Sequence, residues 1–229
     1  MAQRALDYSI KGYSLRSSDF SRSAHLGDHE GEEQHHRVKE LGRELMSRGI
    51  AHSSDAHFVF AALGISSALH AAQSAAVGIA QDTSRLLEST GIQACGALEA
   101  AGRHVNAAMR VAVIALFARE VSHAHAVLRY KPWLQLRELS SVALHPHIGR
   151  WAGGQGDFER SIIRNLTEVA KQTHEMADAI LFWLDGDSYK AACASGGSPS
   201  AREETDAAAL TYISTGRAPI RRMPQGVSC

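Results

Sequence analysis

The chain has 229 residues and equal numbers of basic and acidic side chains, 24 of each, so its formal net charge at neutral pH is zero. That balance excludes a bulk nucleic-acid binder, which needs a surplus of Lys and Arg on one face to neutralise phosphates. With 45% apolar residues, 37 alanines and no proline before Pro132, the composition predicts long helices and an all-α protein; aromatics, at 6%, are too few for a β-sandwich.

Taken in order, Ala2 to about Tyr13 reads as a first helix, with Ala5, Leu6 and Ile10 on one side and Gly12 near its end. Ser17, Ser18 and Asp19 supply an N-cap for a second, highly charged helix running to about Arg48. Its thin apolar stripe is Phe20, Leu26, Val38, Leu41 and Leu45, and Gly49 stops it. Ser53, Ser54 and Asp55 are expected to cap a third helix, apolar at Val59, Ala62, Ile65, Leu69, Ala72, Ala76, Ile79 and Leu86. A fourth helix spans roughly Gln93 to Ala118 and a fifth roughly Val121 to Leu144, where Pro132 should start or kink a helix. After the Gly-rich connection Trp151 to Gly156, the sixth runs from about Asp157 to Leu184 and ends at Asp185, Gly186 and Asp187.

Ala56 to Gln81 contains no Asp, Glu, Lys or Arg and is long enough to span a bilayer. It also carries His57, Ser66, Ser67, His70, Gln73 and Ser74, and much of its apolar content is Ala. A buried central helix is the expectation, with no membrane span. Met1 to Phe20 lacks the apolar core of a signal peptide, and the three cysteines (Cys95, Cys193, Cys229) form no close pair, so a reduced, cytoplasmic location is expected.

An internal repeat is visible. At an offset of 97 residues Ile65 and Leu69 align with Ile162 and Leu166, and Ala72, Ala76 and Ala80 with Val169, Thr173 and Ala177. The natural parsing is two three-helix units, residues 1–90 and 91–187, giving two tandem three-helix bundles with six long helices. Residues 188–229 hold three of the five prolines and few large apolar side chains. They read as a mostly disordered tail, with a short helix around Arg202 to Tyr212.

Three stretches resemble the PhoU family of phosphate uptake regulators, built from two such bundles. Ala51–Ser66 is similar to that family's entry to its third helix, where a small-x-Asp turn precedes an apolar run ending in Ile-Ser. Asp28–Glu32 resembles the acidic stretch of its second helix, and Asn165–Ala170 with Met176–Gly186 its last helix and closing glycine. The resemblance covers about residues 1–187. It implies a cytoplasmic homodimer acting in phosphate homeostasis as a negative regulator, contacting phosphate ABC transporter subunits and a sensor histidine kinase.

The family binds a metal cluster through an E/D-x-x-x-D motif on each long apolar helix, because carboxylates at i and i+4 share one helix face. Here the corresponding positions hold His70 and Ser74, then Thr167 and Lys171. No carboxylate remains and Lys171 would repel a cation, so a family-type cluster is not expected. A narrower candidate is the row His25, His29, Glu32 and His36, spaced i, i+4, i+7, i+11, which in the family fold would face the third helix near His70. Imidazole with carboxylate suits Zn, Ni or Fe; against it stands an ordinary solvated, partly protonated helix face.

Other pairs carry less. His123 with His125, and His145 with His147, are spaced so that on a helix the two rings point apart, as expected of surface residues. Gly153 to Gly156 lacks the Lys-Ser/Thr of a phosphate loop, and no nucleophile, base and oxyanion site assembles, so an enzyme is not expected. Three functions remain: a binding regulator, a degenerate structural or dimerisation module, and a His/carboxylate metalloprotein. The third fares worst, since a di-metal bundle needs Glu and Glu-x-x-His on its inner helices, which here hold Ala, Val, Leu and Thr.

Overall fold

The computed structural model describes residues 1–50, 52–88, 95–143 and 155–194, and among them there are helices and no strands. Eight helices follow in order: α1 (Ala2–Leu15), α2 (Ser18–Ala24), α3 (Asp28–Ser47), α4 (Ser53–Leu87), α5 (Gly96–Ala118), α6 (Val121–Arg129), α7 (Pro132–Ala143) and α8 (Gln155–Ala194). The six expected helices are therefore present, but the second and fifth are each divided.

The physical causes are local. The second breaks because Gly27 adopts a left-handed conformation (φ 90°), so His25 ends α2 while α3 starts afresh at Asp28. The fifth breaks at Pro132, which opens α7, where its missing N–H costs nothing. α1 continues two residues past Tyr13 and ends on Arg16 in the left-handed region. Gly12 lies inside the helix, where a Cβ would come within 2.6 Å of Ser21 Oγ; it lets α2 approach α1. The cap of α4 also differs from expectation. His52 is the extended N-cap, Ser53 to Asp55 already belong to the first turn, and no side chain caps the end.

At the other end, α8 loses helical geometry at Gly186 (φ 52°, ψ −121°), where it was expected to stop. The chain resumes helix through Ala194, so residues 188–194 are helical backbone rather than the start of an unstructured tail. Residues 151–154 of the Gly-rich connection, His145 and His147, and the tail from residue 195, including its expected helix at Arg202 to Tyr212, lie outside the described residues.

α4 and α8 form the spine. They run antiparallel in constant register: Gly64 faces Ala179, and Gly78, fourteen residues on, faces Asn165, fourteen residues back. At Gly78 a Cβ would come within 2.8 Å of the Asn165 side-chain amide, so the missing side chain there allows the close approach. Two apolar clusters are strung along this pair. One joins Leu6, Ile10 and Tyr13 of α1 to Ile79 of α4, Val105 and Met109 of α5, Leu136 of α7, and Ile162 and Leu166 of α8. The other joins Ile65 of α4, Val111 and Ala115 of α5, Val127 of α6, and Met176, Ile180 and Leu181 of α8. Each fully buried Leu, Ile or Val contributes about 1.5–3 kcal/mol of transfer free energy. Both clusters draw on residues before and after the expected unit boundary at 90/91.

By length and composition α4 could cross a membrane (mean hydropathy 1.3 over its most apolar window). In the fold it instead packs against α1, α2, α3 and α8.

Several polar groups beside the first cluster are paired. Tyr13 donates its hydroxyl to the buried Glu159 (2.9 Å) and accepts from the Cys95 backbone N–H (2.9 Å), tying α1, α8 and the start of α5 together. Ser9 Oγ lies 2.7 Å from the Ala76 carbonyl oxygen, linking α1 to α4. On the α1–α5 seam, Asp7 accepts from Asn106 (2.9 Å) and pairs with Lys11 and Arg110.

Candidate functional site

α3 is attached to the bundle by one face, and that face is made of glycines and a histidine. Gly31, His35, Val38 and Gly42 recur at i, i+4, i+7 and i+11 and lie toward α4. A Cβ on Gly31 would meet Gln73 at 2.5 Å, and one on Gly42 would meet Leu63 at 2.8 Å. Gln73 donates to the Gly27 carbonyl (3.0 Å), pinning the turn before α3. His35 stacks on His70, ring centres 4.7 Å apart and planes 4° from parallel, with its Nδ1 3.0 Å from Ser66 Oγ. Burial, followed by the nearby His70, Lys39 and His36, depresses the His35 pKa below its ordinary value.

This corrects the expected histidine row. His29, Glu32 and His36 are exposed and point away from α4; His29 instead pairs with Glu33 at 3.5 Å. His25, on the other side of the Gly27 turn, is exposed and off the row altogether. His35, one residue and about 100° around the helix from His36, is what meets His70. Stacked parallel rings send their nitrogen lone pairs alongside one another rather than toward one point. Among the described residues, no group of three or more His, Cys, Asp or Glu converges as a metal site.

The four positions matching the family's metal motif fit a cluster no better. The Ser74 hydroxyl donates to the His70 carbonyl and the Thr167 hydroxyl to the Ile163 carbonyl, so both are turned back on their own helices. His70 is occupied by the stack, and Lys171 is an exposed cation. These residues offer no anionic oxygen to a hard cation.

Beside the α3 attachment lies a cleft of about 740 Å³ with α4 as its floor. Val38 and His35 of α3 form one wall, and Val113, Leu116 and Phe117 of α5 the other. Arg4 and Gln73 stand at one end, Phe58 and Trp183 at the other. Its lining is mostly apolar; Arg4 is the permanently charged side chain and no carboxylate lines it among the described residues. The Phe58 and Trp183 rings pack tilted at 58°, centroids 5.4 Å apart, with the Arg119 guanidinium 5.2 Å over the indole. Phe117 is 82% exposed and Phe58 48%. This end is an open aromatic mouth, a feature that aromatic content alone could not reveal, because its parts come from three helices.

Of the remaining described histidines, His52 is exposed and His57, His104, His123, His125 and His174 are half-buried. His123 and His125, expected on the surface, are half-buried on α6, with His123 2.6 Å from Glu120. His174 is bonded through Nδ1 to the Ala170 carbonyl (3.1 Å). Burial lowers its pKa, partly offset by backbone carbonyls of Ala170, Leu128 and Tyr130. Burial likewise pushes the Tyr130 hydroxyl up to about 12.

With this geometry in hand, the chain can be set beside known proteins. No family model matches it, and no curated protein sequence matches it significantly. Solved structures do. PhoU from Pseudomonas aeruginosa superposes with a TM-score of 0.67 at 16% identity, covering 81% of this chain and 90% of that one. The phosphate transport system regulatory protein PhoU from Streptococcus pneumoniae superposes with a TM-score of 0.71 at 14% identity, covering 81% of this chain and 88% of that one. The class is therefore a helical bundle with the PhoU fold.

Proposed function

We propose that this chain is a PhoU-like regulator of phosphate uptake that works by binding other proteins rather than by chemistry. The observation that carries the reading is the shared fold over 81% of the chain with two PhoU structures, one of them a phosphate transport system regulatory protein. In this reading the chain is cytoplasmic and homodimeric, its two halves (1–90 and 91–187) are a duplicated unit, and it restrains phosphate-responsive expression by contacting transporter subunits and a sensor kinase. An open aromatic mouth and the exposed Leu41, Leu45 and Met46 on α3 supply apolar surface of the kind protein partners cover.

The test is a phosphate-responsive reporter in a deletion strain, complemented by the wild-type gene. Derepression in phosphate-replete medium, reversed on complementation, is the expected result. An unchanged reporter would remove the regulatory reading.

A second reading is favoured by the side chains at 70, 74, 167 and 171. With no carboxylate at any of them, the chain has kept the scaffold and lost its family's metal chemistry, which suits a structural or dimerisation module. Co-purification from cells separates the two. Transporter or kinase subunits retained by the chain support regulation, whereas only its own copies support the structural role.

A further inference from the structure

We propose that the cleft between α3 and α5 is a binding site for a single-chain amphipathic anion, a fatty-acid-type carboxylate, whose head meets Arg4 and whose acyl chain lies along α4 to the aromatic mouth. The inference rests on the cleft alone and does not need the regulatory reading to be right; where both hold, a bound ligand competes with partner proteins for that mouth.

The cleft has the size and lining of a small-molecule site. At about 740 Å³ it falls inside the range of about 300–1,000 Å³ usual for such sites, which are likewise mostly apolar with a few polar groups that fix orientation. Ala62, Ile65 and Leu69 of α4 lie along its floor. At its mouth Phe117 is 82% exposed and Phe58 48%, and neither belongs to either apolar cluster of the core. A ligand that removes these rings from water gains free energy that the fold itself leaves unused.

Length and width select the occupant. From Phe58 to His70 the floor is about 18 Å of helix. One acyl chain of a membrane lipid spans about 15 Å, half the hydrocarbon thickness of a bilayer, so a single chain fills this trough and leaves its head at the Arg4 end. A partner's helix is too thick. With side chains it measures about 10–12 Å across, and a stretch as long as the floor occupies about twice the cleft's volume.

Charge sets the direction. Arg4 and Gln73 stand at the end opposite Phe58 and Trp183. Arg4 is exposed and has no ion-pair partner among the described residues, and no carboxylate among them lines the cleft. Asp28 comes nearest to an exception, its Oδ1 lying 3.3 Å from Gln73 Nε2, but it is not part of the lining. Ala2 and Gln3, at the start of α1, line the same end and add the positive pole of that helix. At the mouth, the Arg119 guanidinium is already seated over the Trp183 indole. An anionic head therefore gains at the Arg4 end. One cation is too few to hold the anionic surface of a bilayer, which takes a cluster of Lys and Arg.

Calorimetric titration of the full chain with octanoate, decanoate and laurate, each below its micelle-forming concentration, tests the site. Saturable binding of one ligand per chain is expected, tightening about fourfold with each added methylene. Arg4→Gln should weaken laurate about tenfold and remove the wild-type preference for laurate over its uncharged methyl ester. Ala62→Trp, which fills the floor, should abolish binding. Phe117→Asp is its companion at the exposed lip, outside both core clusters, and should weaken laurate about fivefold or more with an unchanged circular dichroism spectrum. No saturable binding would overturn the proposal, as would a laurate affinity indifferent to Arg4→Gln and Phe117→Asp, or binding of phosphatidylglycerol vesicles alone. Sedimentation of the same samples covers the other occupant. A dimer that Phe117→Asp dissociates, with no laurate bound by the wild type, would put a second copy in the cleft and equally overturn the proposal.

Discussion

His35 and His70 stack face to face across the α3–α4 contact, with ring centres 4.7 Å apart, joining the charged helix α3 to the middle of α4. Two neutral imidazoles stack well; two imidazolium ions at that distance repel. The ionisable groups beside His35 are Lys39 and His36 on its own helix and His70 on α4, all of which disfavour its protonation. A folded pKa below the unfolded one means the contact is at full strength above about pH 6.5 and weakens as the pH falls. Backbone hydrogen exchange across Asp28–Ser47 should therefore accelerate between pH 7.5 and 5.5, after correction for the intrinsic rate. His35→Phe, which keeps an aromatic ring and removes the proton site, should make this region insensitive to pH over that range.

His174 makes a parallel prediction for the whole fold. Its pKa is also depressed by burial, so the unfolded chain binds a proton more readily and stability is lost as the pH drops below about 6.5. Thermal unfolding followed by circular dichroism should show Tm decreasing over pH 7 to 5. In His174→Gln the decrease should be shallower, because a neutral amide replaces the titrating ring.

Tyr13→Phe tests the junction of α1, α5 and α8. The substitution keeps the ring and removes the hydroxyl that donates to Glu159 and accepts from the Cys95 N–H. Loss of a buried, charge-associated hydrogen bond should cost about 1–3 kcal/mol in denaturant-derived stability. Burial, reinforced by the charge of Glu159, raises the Tyr13 pKa above its ordinary 10.0. The wild-type advantage should accordingly persist at neutral pH and fade as the solution becomes strongly alkaline, since the unfolded phenol ionises first.

Two glycines should respond in opposite directions to alanine. At Gly64 a new Cβ would lie 3.6 Å from Ala179, an ordinary contact on a helix, so Gly64→Ala should stabilise by about 0.5–1 kcal/mol through backbone entropy and helix propensity. At Gly186 the left-handed φ of 52° and the 3.2 Å approach to His57 make any side chain strained. Gly186→Ala should destabilise by about 1 kcal/mol or more. Urea midpoints of the two variants against wild type decide the signs.

Elemental analysis of untagged protein incubated with zinc or iron should show no stoichiometric metal, and His29→Ala/His70→Ala should leave the metal content unchanged. Roughly stoichiometric metal lost on that double substitution would contradict the stacked, non-converging geometry described for α3 and α4.

The helices themselves were legible because alanine-rich apolar spacing and the placement of Pro132 and Gly186 are local signals. The face of α3 was not. A continuous second helix would have carried the phase from Phe20 through His36, but Gly27 takes a left-handed φ and resets it. The buried edge of α3 is then built from Gly31 and Gly42, which hydropathy ignores because their contribution is an absent Cβ rather than an apolar one. His35 and His36 are identical in type, so composition could not say which of them faces inward; that depends on the helix starting at Asp28. The cleft was hidden for another reason: Phe58, Phe117 and Trp183 are scattered over 126 positions of the chain and meet only through the antiparallel register of α4 and α8.

That register has a price in independence. Because each of the two apolar clusters takes side chains from both long helices, neither half of the chain holds a complete apolar core of its own. Residues 1–90 and 91–187 are on this geometry expected to depend on each other for a complete core. Cutting the polypeptide between them should yield fragments that are insoluble alone and regain native structure only when produced together.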